Sequence, residues 1–273
     1  MTLADALAAA AAQGLARLDA QLLLLHALGR DPLDRAWLLA HDADALDPAA
    51  AQHFQALCAR RRAGEPAAYL LGHKEFFGLP LRVDARVLVP RPDTETLVEW
   101  ALEHLPRQGR VIDLGTGSGA VALALAQRRP DATVTATDRS ADALAVARAN
   151  AARLGLPVRF LHGDWLQSID ERFDLIVSNP PYIAPGDPHL AALTHEPQAA
   201  LVAAEAGLGD LRRIIASAGR CLRPGGWLLL EHGHDQAAAV LALLAGHGFA
   251  AVGSRSDLAG IARCSGGQWP IHG

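Results

Sequence analysis

An apolar run that breaks into glycines constrains this chain more than any other feature. Val111-Ile112-Asp113-Leu114 reads as a buried strand, Gly115-Thr116-Gly117-Ser118-Gly119 as a tight turn, and a helix follows at once from Ala120. Glycines permit such a turn and let a ligand approach the backbone, while the helix start offers free N–H groups.

From about residue 93 onward, strands and helices alternate. Strands are predicted at 110–115, 133–138, 158–163, 173–178 and 227–232, with amphipathic helical stretches between them and two further strand signals near 249–255 and 261–265. That alternation implies an α/β fold whose parallel sheet is covered on both faces. Residues 1 to about 72 read differently: leucine and alanine recur at helical spacing, with no period-two segment. Asp31-Pro32 and Asp47-Pro48 each predict a helix start, Gly29 and Gly64 predict stops, and the leucines at 22–25 predict a bundle core. Glu75-Phe76-Phe77-Gly78 and Leu81-Arg82-Val83 flank a Gly-Leu-Pro turn and predict a hairpin, after which Pro90 and Pro92 mark a loop. The expected organisation is a helical bundle over 1–72, a hairpin and linker over 73–92, and a sheet domain over 93–273.

Three successive strand ends carry residues suited to one adenosine-bearing cofactor. The glycine turn is the first. Asp138 is the second, 19 residues after Gly119, where an acid accepts hydrogen bonds from both hydroxyls of a ribose. Asp164-Trp165 is the third, a carboxylate beside an aromatic that can flank an adenine ring. Gly115-x-Gly117-x-x-Ala120 also fits the dinucleotide fingerprint, so these contacts alone leave NAD open.

The fourth strand, Phe173 to Ser178, ends in Asn179-Pro180-Pro181-Tyr182. Prolines cannot donate to a sheet ladder, so the strand must stop there, and the fixed backbone holds the Asn179 side chain and the Pro180 carbonyl rigidly. Those two oxygens suit one chemical problem. An amide or exocyclic amino nitrogen is a poor nucleophile with two N–H bonds, and two fixed acceptors grip both bonds, orient the nitrogen and favour the positive charge that grows on it during attack. Tyr182 can lie over the planar group and exclude water.

Taken together these motifs resemble the release factor glutamine methyltransferases, a family of two-domain enzymes, and the resemblance spans essentially the whole chain. Leu88-Val89-Pro90-Arg91-Pro92-Asp93-Thr94-Glu95 is similar to the loop that joins the family's domains. Glu196-Pro197, Ala200-Leu201, Gly207-x-x-Asp210, Glu231-His232-Gly233-x-x-Gln236 and Asp257-Leu258-Ala259-Gly260-x-x-Arg263 are similar to its later segments. Thr194-His195 departs from the family pattern, in which a basic and an aromatic residue are more usual. The resemblance implies a Rossmann-like class I methyltransferase sheet behind a helical substrate-recognition domain, and S-adenosyl-L-methionine as cofactor. It implies methyl transfer to the glutamine side chain of the Gly-Gly-Gln tripeptide in peptide chain release factors. Cofactor contacts carry over to Gly115, Thr116, Gly117, Ser118, Gly119, Asp138, Asp164, Trp165 and Asn179. Substrate contacts carry over to Asn179, Pro180, Pro181 and Tyr182, with Asn179, Pro180 and Tyr182 at the chemistry.

Charge discriminates between this reading and an adenine- or guanine-amino methyltransferase acting on DNA or RNA, which faces the same nitrogen chemistry. The net charge is −4, and residues 1–90 hold nine Lys/Arg against ten Asp/Glu, with no basic stripe for a phosphate backbone. Stable nucleic-acid binding is therefore not expected. Cys58, Cys221 and Cys264 are odd in number and form no C-x-x-C pair, which suits a reducing cytoplasm and argues against zinc. His232 and His234 alternate without a carboxylate cluster, so no metal is expected, and no apolar run reaches the roughly 18 residues of a membrane span. The protein is read as a cytoplasmic monomer. Arg60-Arg61-Arg62 reads as a solvated helix end. Thr94 and Glu95 are open between a role at the active-site mouth and a helix start. Gly266-Gly267-Gln268 repeats the tripeptide the family methylates; it is placed in or beside the last strand, with Pro270 and Gly273 predicting a frayed end.

Overall fold

The computed structural model describes residues 1–271; Gly273 and the fraying expected of it lie outside them. The chain divides into two compact units. One comprises Met1–His73 with Ala192–His195, the other Lys74–Ala191 and the chain from Glu196 onward.

The first unit is helical: α1 (Leu3–Ala12), α2 (Arg17–Ala27), α3 (Arg35–Ala40), α4 (Pro48–Arg62) and α5 (Ala67–Leu71). Thr2 and Asp5 form a reciprocal capping box at the start of α1. Asp47 caps α4 by accepting from the Ala49 and Ala50 amides, with Pro48 in the first turn. Asp31-Pro32 does not start a helix. Asp31 accepts from Leu33 N in a local turn, and Asp34 instead caps α3 by accepting from Trp37 N. Leu23, Leu24 and Leu25 are fully buried with Leu3, Phe54 and Leu57, whereas Leu22 is half-buried. The arginines ending α4 are not simply solvated: Arg60 pairs with Glu65, and Arg61 reaches Asp19 at 2.8 Å. In the same unit His195 Nε2 lies 3.1 Å from the Ala63 carbonyl oxygen.

The boundary between the units falls at the start of a hairpin, β1 (His73–Phe76) and β2 (Leu79–Arg82), whose turn is Phe77-Gly78 and which from Lys74 onward belongs to the second unit. Both turn residues have positive φ, 52° and 81°, as a two-residue turn matched to strand twist requires. Leu79 and Pro80 therefore belong to β2 and not to the turn expected from Gly-Leu-Pro. Helix α6 (Glu95–His104) follows, and its Glu95 accepts from the Phe77 amide at 3.0 Å. Phe76, Leu79 and Leu81 are buried in one cluster with Leu97, Val98 and Val111.

Seven strands form the sheet: β3 (Arg110–Leu114), β4 (Thr133–Asp138), β5 (Arg159–His162), β6 (Phe173–Ser178), β7 (Leu222–Glu231), β8 (Ala250–Ser256) and β9 (Ala262–Gln268), in the spatial order β5-β4-β3-β6-β7-β9-β8. The first five are parallel, with α7 (Ala120–Arg128), α8 (Ala141–Leu154) and α9 (Gly209–Cys221) in the connections. The sheet is mixed and not wholly parallel, because β8 and β9 join through a short loop after α10 (Ala237–Gly246), and a short loop can only bring a strand back antiparallel. Strand β7 begins earlier than residue 227, and its register against β6 shifts between Phe173 and Leu175 beside Gly225, whose φ is +82°.

Candidate active site

The connections reverse direction between β3 and β6, and the carboxyl ends of strands flanking such a switch point form a crevice. On one side, β3 runs into the glycine turn. Asp113, buried at the end of the strand, accepts from the Thr116 hydroxyl at 2.6 Å and folds the turn back on itself. On the other side, Asn179 follows β6 directly. Ser178 Oγ donates to the Leu114 carbonyl oxygen at 2.7 Å and fixes the two strand ends to each other.

A pocket opens here. Gly115, Gly117, Asp138, Asp164, Trp165, Asn179 and Pro181 all line it. Thr116, Ser118 and Gly119 stand behind it: Thr116 and Ser118 are buried, and Gly119 leads α7 with a φ of +86°. A Cβ on Gly115 would sit 3.0 Å from the Trp165 ring, while a Cβ on Gly117 would meet nothing within 4 Å, leaving that backbone open to a ligand.

The carboxylates are held by backbone and arginine. Asp138 accepts from Gly117 N and Ser140 N, both at 2.9 Å, one through each oxygen, which leaves lone pairs on both for further donors. Asp164 Oδ2 is paired with Arg213 and accepts from Gln167 Nε2, yet its Oδ1 is buried without a partner. Trp165 takes a positive φ of 51°, and its indole N–H reaches Asp210 at 3.2 Å. An unpartnered buried acceptor beside an aromatic face suits the amino edge of an adenine.

Asn179 points its Nδ2 at Thr94 Oγ1, 3.1 Å away. Thr94 is 5% exposed and stands at the start of α6, but its side chain makes no capping bond there; its hydroxyl faces Asn179 instead. Tyr182 is largely buried, and its hydroxyl donates to Glu231 at 3.3 Å. Desolvation raises the Tyr182 phenol, which stays neutral, and raises Glu231 to about 7. Burial also lifts Asp113 to about 7, partly offset by the Thr116 bond. Pro180 and Tyr182 flank the pocket without lining it. His232 is locked by Ser265 Oγ and the Gly233 carbonyl, each at 2.8 Å, and is lowered by burial.

Past the motif, the chain is clamped. Gln236 Nε2 donates to the Tyr182 carbonyl at 3.0 Å, and a Cβ on Gly207 would fall 2.2 Å from that same oxygen. Glu196, buried, accepts from Val89 N at 3.0 Å and pairs with Arg91 at 2.5 Å, which fixes the loop before α6. Sequence reasoning did not find Glu231 as part of the site, nor Arg86 and Val87 in the pocket wall. No periodicity marks these positions; only their place beside strand ends does.

Residues 93–246 match the family model of the methyltransferase small domain, and residues 2–72 match that of the PrmC N-terminal domain. The chain is 54% identical over 260 residues to a release factor glutamine methyltransferase of Bordetella pertussis, covering 93% of this chain and 95% of that one. It is 51% identical over 271 residues to one of Xylella fastidiosa, covering 97% and 98%. Among solved structures, a methyltransferase from Pyrococcus furiosus superposes with a TM-score of 0.59 at 21% identity, covering 78% of this chain and all of that one. The human Mettl16 catalytic domain reaches 0.61 at 17%, covering 76% and 80%, and both likenesses are of fold.

Proposed function

The chain belongs to the release factor glutamine methyltransferases, and on that premise we propose how its own residues carry the reaction. It is a protein-glutamine N-methyltransferase that uses S-adenosyl-L-methionine and acts on peptide chain release factors. The observation that carries the residue assignment is the adjacency of Asn179 to a pocket lined by Gly117, Asp138, Asp164 and Trp165.

The pocket fits the cofactor by its donors and acceptors. Asp138 would hold the ribose hydroxyls, the partnerless Asp164 Oδ1 would take the adenine amino group, Trp165 would face the base, and the open Gly115–Gly117 backbone would admit the remainder. When bound, S-adenosylmethionine supplies a methyl group on a positively charged sulfur.

The remaining work falls to the chain. Asn179 Oδ1 and the Pro180 carbonyl accept the two N–H bonds of the glutamine amide and turn its nitrogen toward the pocket. As positive charge grows on that nitrogen, both oxygens stabilise it without moving, because the strand end and two prolines already hold them. Tyr182 closes over the amide plane and excludes water. No strong base precedes transfer; the surplus proton leaves afterwards.

The helical unit is assigned to recognising the substrate protein, supported by its family match over residues 2–72. The enzyme is taken to act as a cytoplasmic monomer, which suits three free, buried cysteines; among the described residues no helix is long and apolar enough to cross a membrane. Mass spectrometry of a release factor incubated with enzyme and S-adenosylmethionine tests the whole reading. One added methyl group on the Gly-Gly-Gln glutamine is expected; methylation elsewhere, or none, would overturn it.

A further inference from the structure

The Asn179–Tyr182 motif has to be held by its ends. Pro180 and Pro181 carry no N–H, and although each ring fixes φ it leaves ψ free, so the aim of the Pro180 carbonyl depends on where the flanking residues are anchored. At the entry, Ser178 is tied to Leu114. At the exit, the Tyr182 carbonyl oxygen accepts from Gln236 Nε2 at 3.0 Å. Gln236 stands at the N-cap of α10, yet its side chain caps nothing there. Its Oε1 accepts instead from Gly233 N at 2.9 Å, in the turn that follows β7. Gly207 has a φ of +87°, and a Cβ on it would collide with the Tyr182 carbonyl and lie 2.7 Å from Gln236 Nε2, so glycine there leaves room for the bond.

We infer that Gln236 is a positioning residue that anchors the exit of the motif and so aims the Pro180 carbonyl and the Tyr182 ring at the substrate amide. The inference rests on the reading of those two groups as substrate contacts. A glutamine amide can be turned either way round, but a backbone N–H can only donate and a backbone carbonyl can only accept. Gly233 therefore fixes Oε1 toward itself, and Nε2 is left for Tyr182. The peptide unit it grips is held on its other side too, because Ile183 N donates to the Leu201 carbonyl at 2.9 Å. One of these bonds alone would let the peptide plane rock about it. The two together fix its tilt, and with it the backbone that Pro180 and Tyr182 share.

The chain has two tyrosines, Tyr69 and Tyr182, so tyrosine labelled with 13C at the carbonyl gives the intact protein two signals. Tyr182→Phe identifies the second, and Tyr69, whose carbonyl accepts from Gly72 N at 3.2 Å, is the internal control. Gln236→Met removes both side-chain bonds. Gln236→Glu keeps an acceptor for Gly233 and removes the donor to Tyr182; assays at about pH 8.5, well above the usual carboxylate range, hold it ionised. Each variant is expected to shift the Tyr182 carbonyl signal and leave that of Tyr69 in place. Each should lower kcat by about tenfold or more, as for a misaligned acceptor, with affinity for S-adenosylhomocysteine within about threefold. An unmoved Tyr182 signal in Gln236→Glu would overturn the inference, as would a wild-type kcat in that variant, or losses in cofactor affinity equal to those in kcat. Should the wild-type enzyme methylate no release factor, the functional reading fails, and the carbonyl signals still decide whether Gln236 anchors Tyr182.

Discussion

Ser178 Oγ donates to the Leu114 carbonyl oxygen across the boundary between β6 and β3. The strand that delivers Asn179 is thereby locked to the strand that delivers the glycine turn. A catalytic amide held this way gains from geometry fixed before substrate arrives, and loss of the amide should cost rate, not fold.

Asn179→Ala is expected to leave the fold intact and cofactor affinity within a few-fold, and to lower kcat by roughly 100-fold or more, the scale of a lost preorganised contact. Steady-state methylation of a release factor measures this. Near-normal turnover would remove Asn179 from the mechanism.

Asp138→Ala should act on the cofactor instead. A charge-assisted bond is worth roughly 1.5–3 kcal/mol, so affinity for S-adenosylhomocysteine should fall by about 10- to 100-fold. The Gly117 and Ser140 amides also lose their acceptor, and part of the loss will come from a loosened turn. Calorimetry giving the wild-type affinity would refute the ribose assignment.

The division of labour between the units is tested by truncation. Because Phe76, Leu79 and Leu81 are buried in the core of the sheet unit, the cut must precede the hairpin; a start near residue 88 would open that core. A chain beginning at His73 should bind S-adenosylhomocysteine like the full chain but methylate an intact release factor at least about tenfold less efficiently, since a large substrate draws on a second surface. Equal kcat/KM for both chains would show that the helical unit does not select the substrate.

Burial places Glu231 at about 7 in the fold, against the usual range near 4 when unfolded. The neutral form is the one the fold favours. Its contribution is complete below about pH 4 and is withdrawn as pH rises through 7. Relative to Glu231→Gln, which stays neutral, the wild type should therefore lose stability between pH 5 and pH 8, by an amount on the order of 2–3 kcal/mol. Denaturant titrations at both pH values compare the two proteins; parallel curves would mean that Glu231 does not carry the shift.

Gln268 lies in β9, paired with Trp227 and Ala250, and its side-chain N–H donates to the Gly225 carbonyl. Along β7 that position is opposite in direction to Glu231, which pairs with Cys264 at the other end of the strand. This pairing holds Gln268 away from Asn179, and we propose that its resemblance to the substrate tripeptide is a coincidence of composition. Gln268→Ala should leave turnover unchanged, and the C-terminal peptide should gain no methyl mass after incubation with S-adenosylmethionine. A gain of one methyl group would reverse this conclusion.

Much of this was legible in the sequence, because strand ends, glycine turns and proline stops are local. The five parallel strands, the bundle leucines and the pocket residues Gly115, Gly117, Asp138, Asp164, Trp165 and Asn179 all announce themselves by spacing. What escaped depends on chemistry between distant segments. Thr94 and Asn179 are 85 residues apart, and nothing in either neighbourhood indicates that their side chains meet. Asp31-Pro32 and Asp34 both carry capping chemistry, and only the tertiary course of the chain selects Asp34. The turn at Phe77-Gly78 was hidden because a phenylalanine with positive φ is uncommon and needs the Glu95 carboxylate to hold its amide.

Asn150 is 0% exposed and satisfies three hydrogen bonds: its oxygen takes the Arg82 amide at 2.8 Å, and its nitrogen serves the Arg82 and Ser118 carbonyls at 3.0 Å each. The hairpin's second strand, helix α8 and the glycine turn thus share one side chain. An isolated two-stranded hairpin of this length would ordinarily breathe on its own. Here its opening strands a buried amide beside the glycine turn, so the hairpin and the turn are expected to come apart together, as a single cooperative unit.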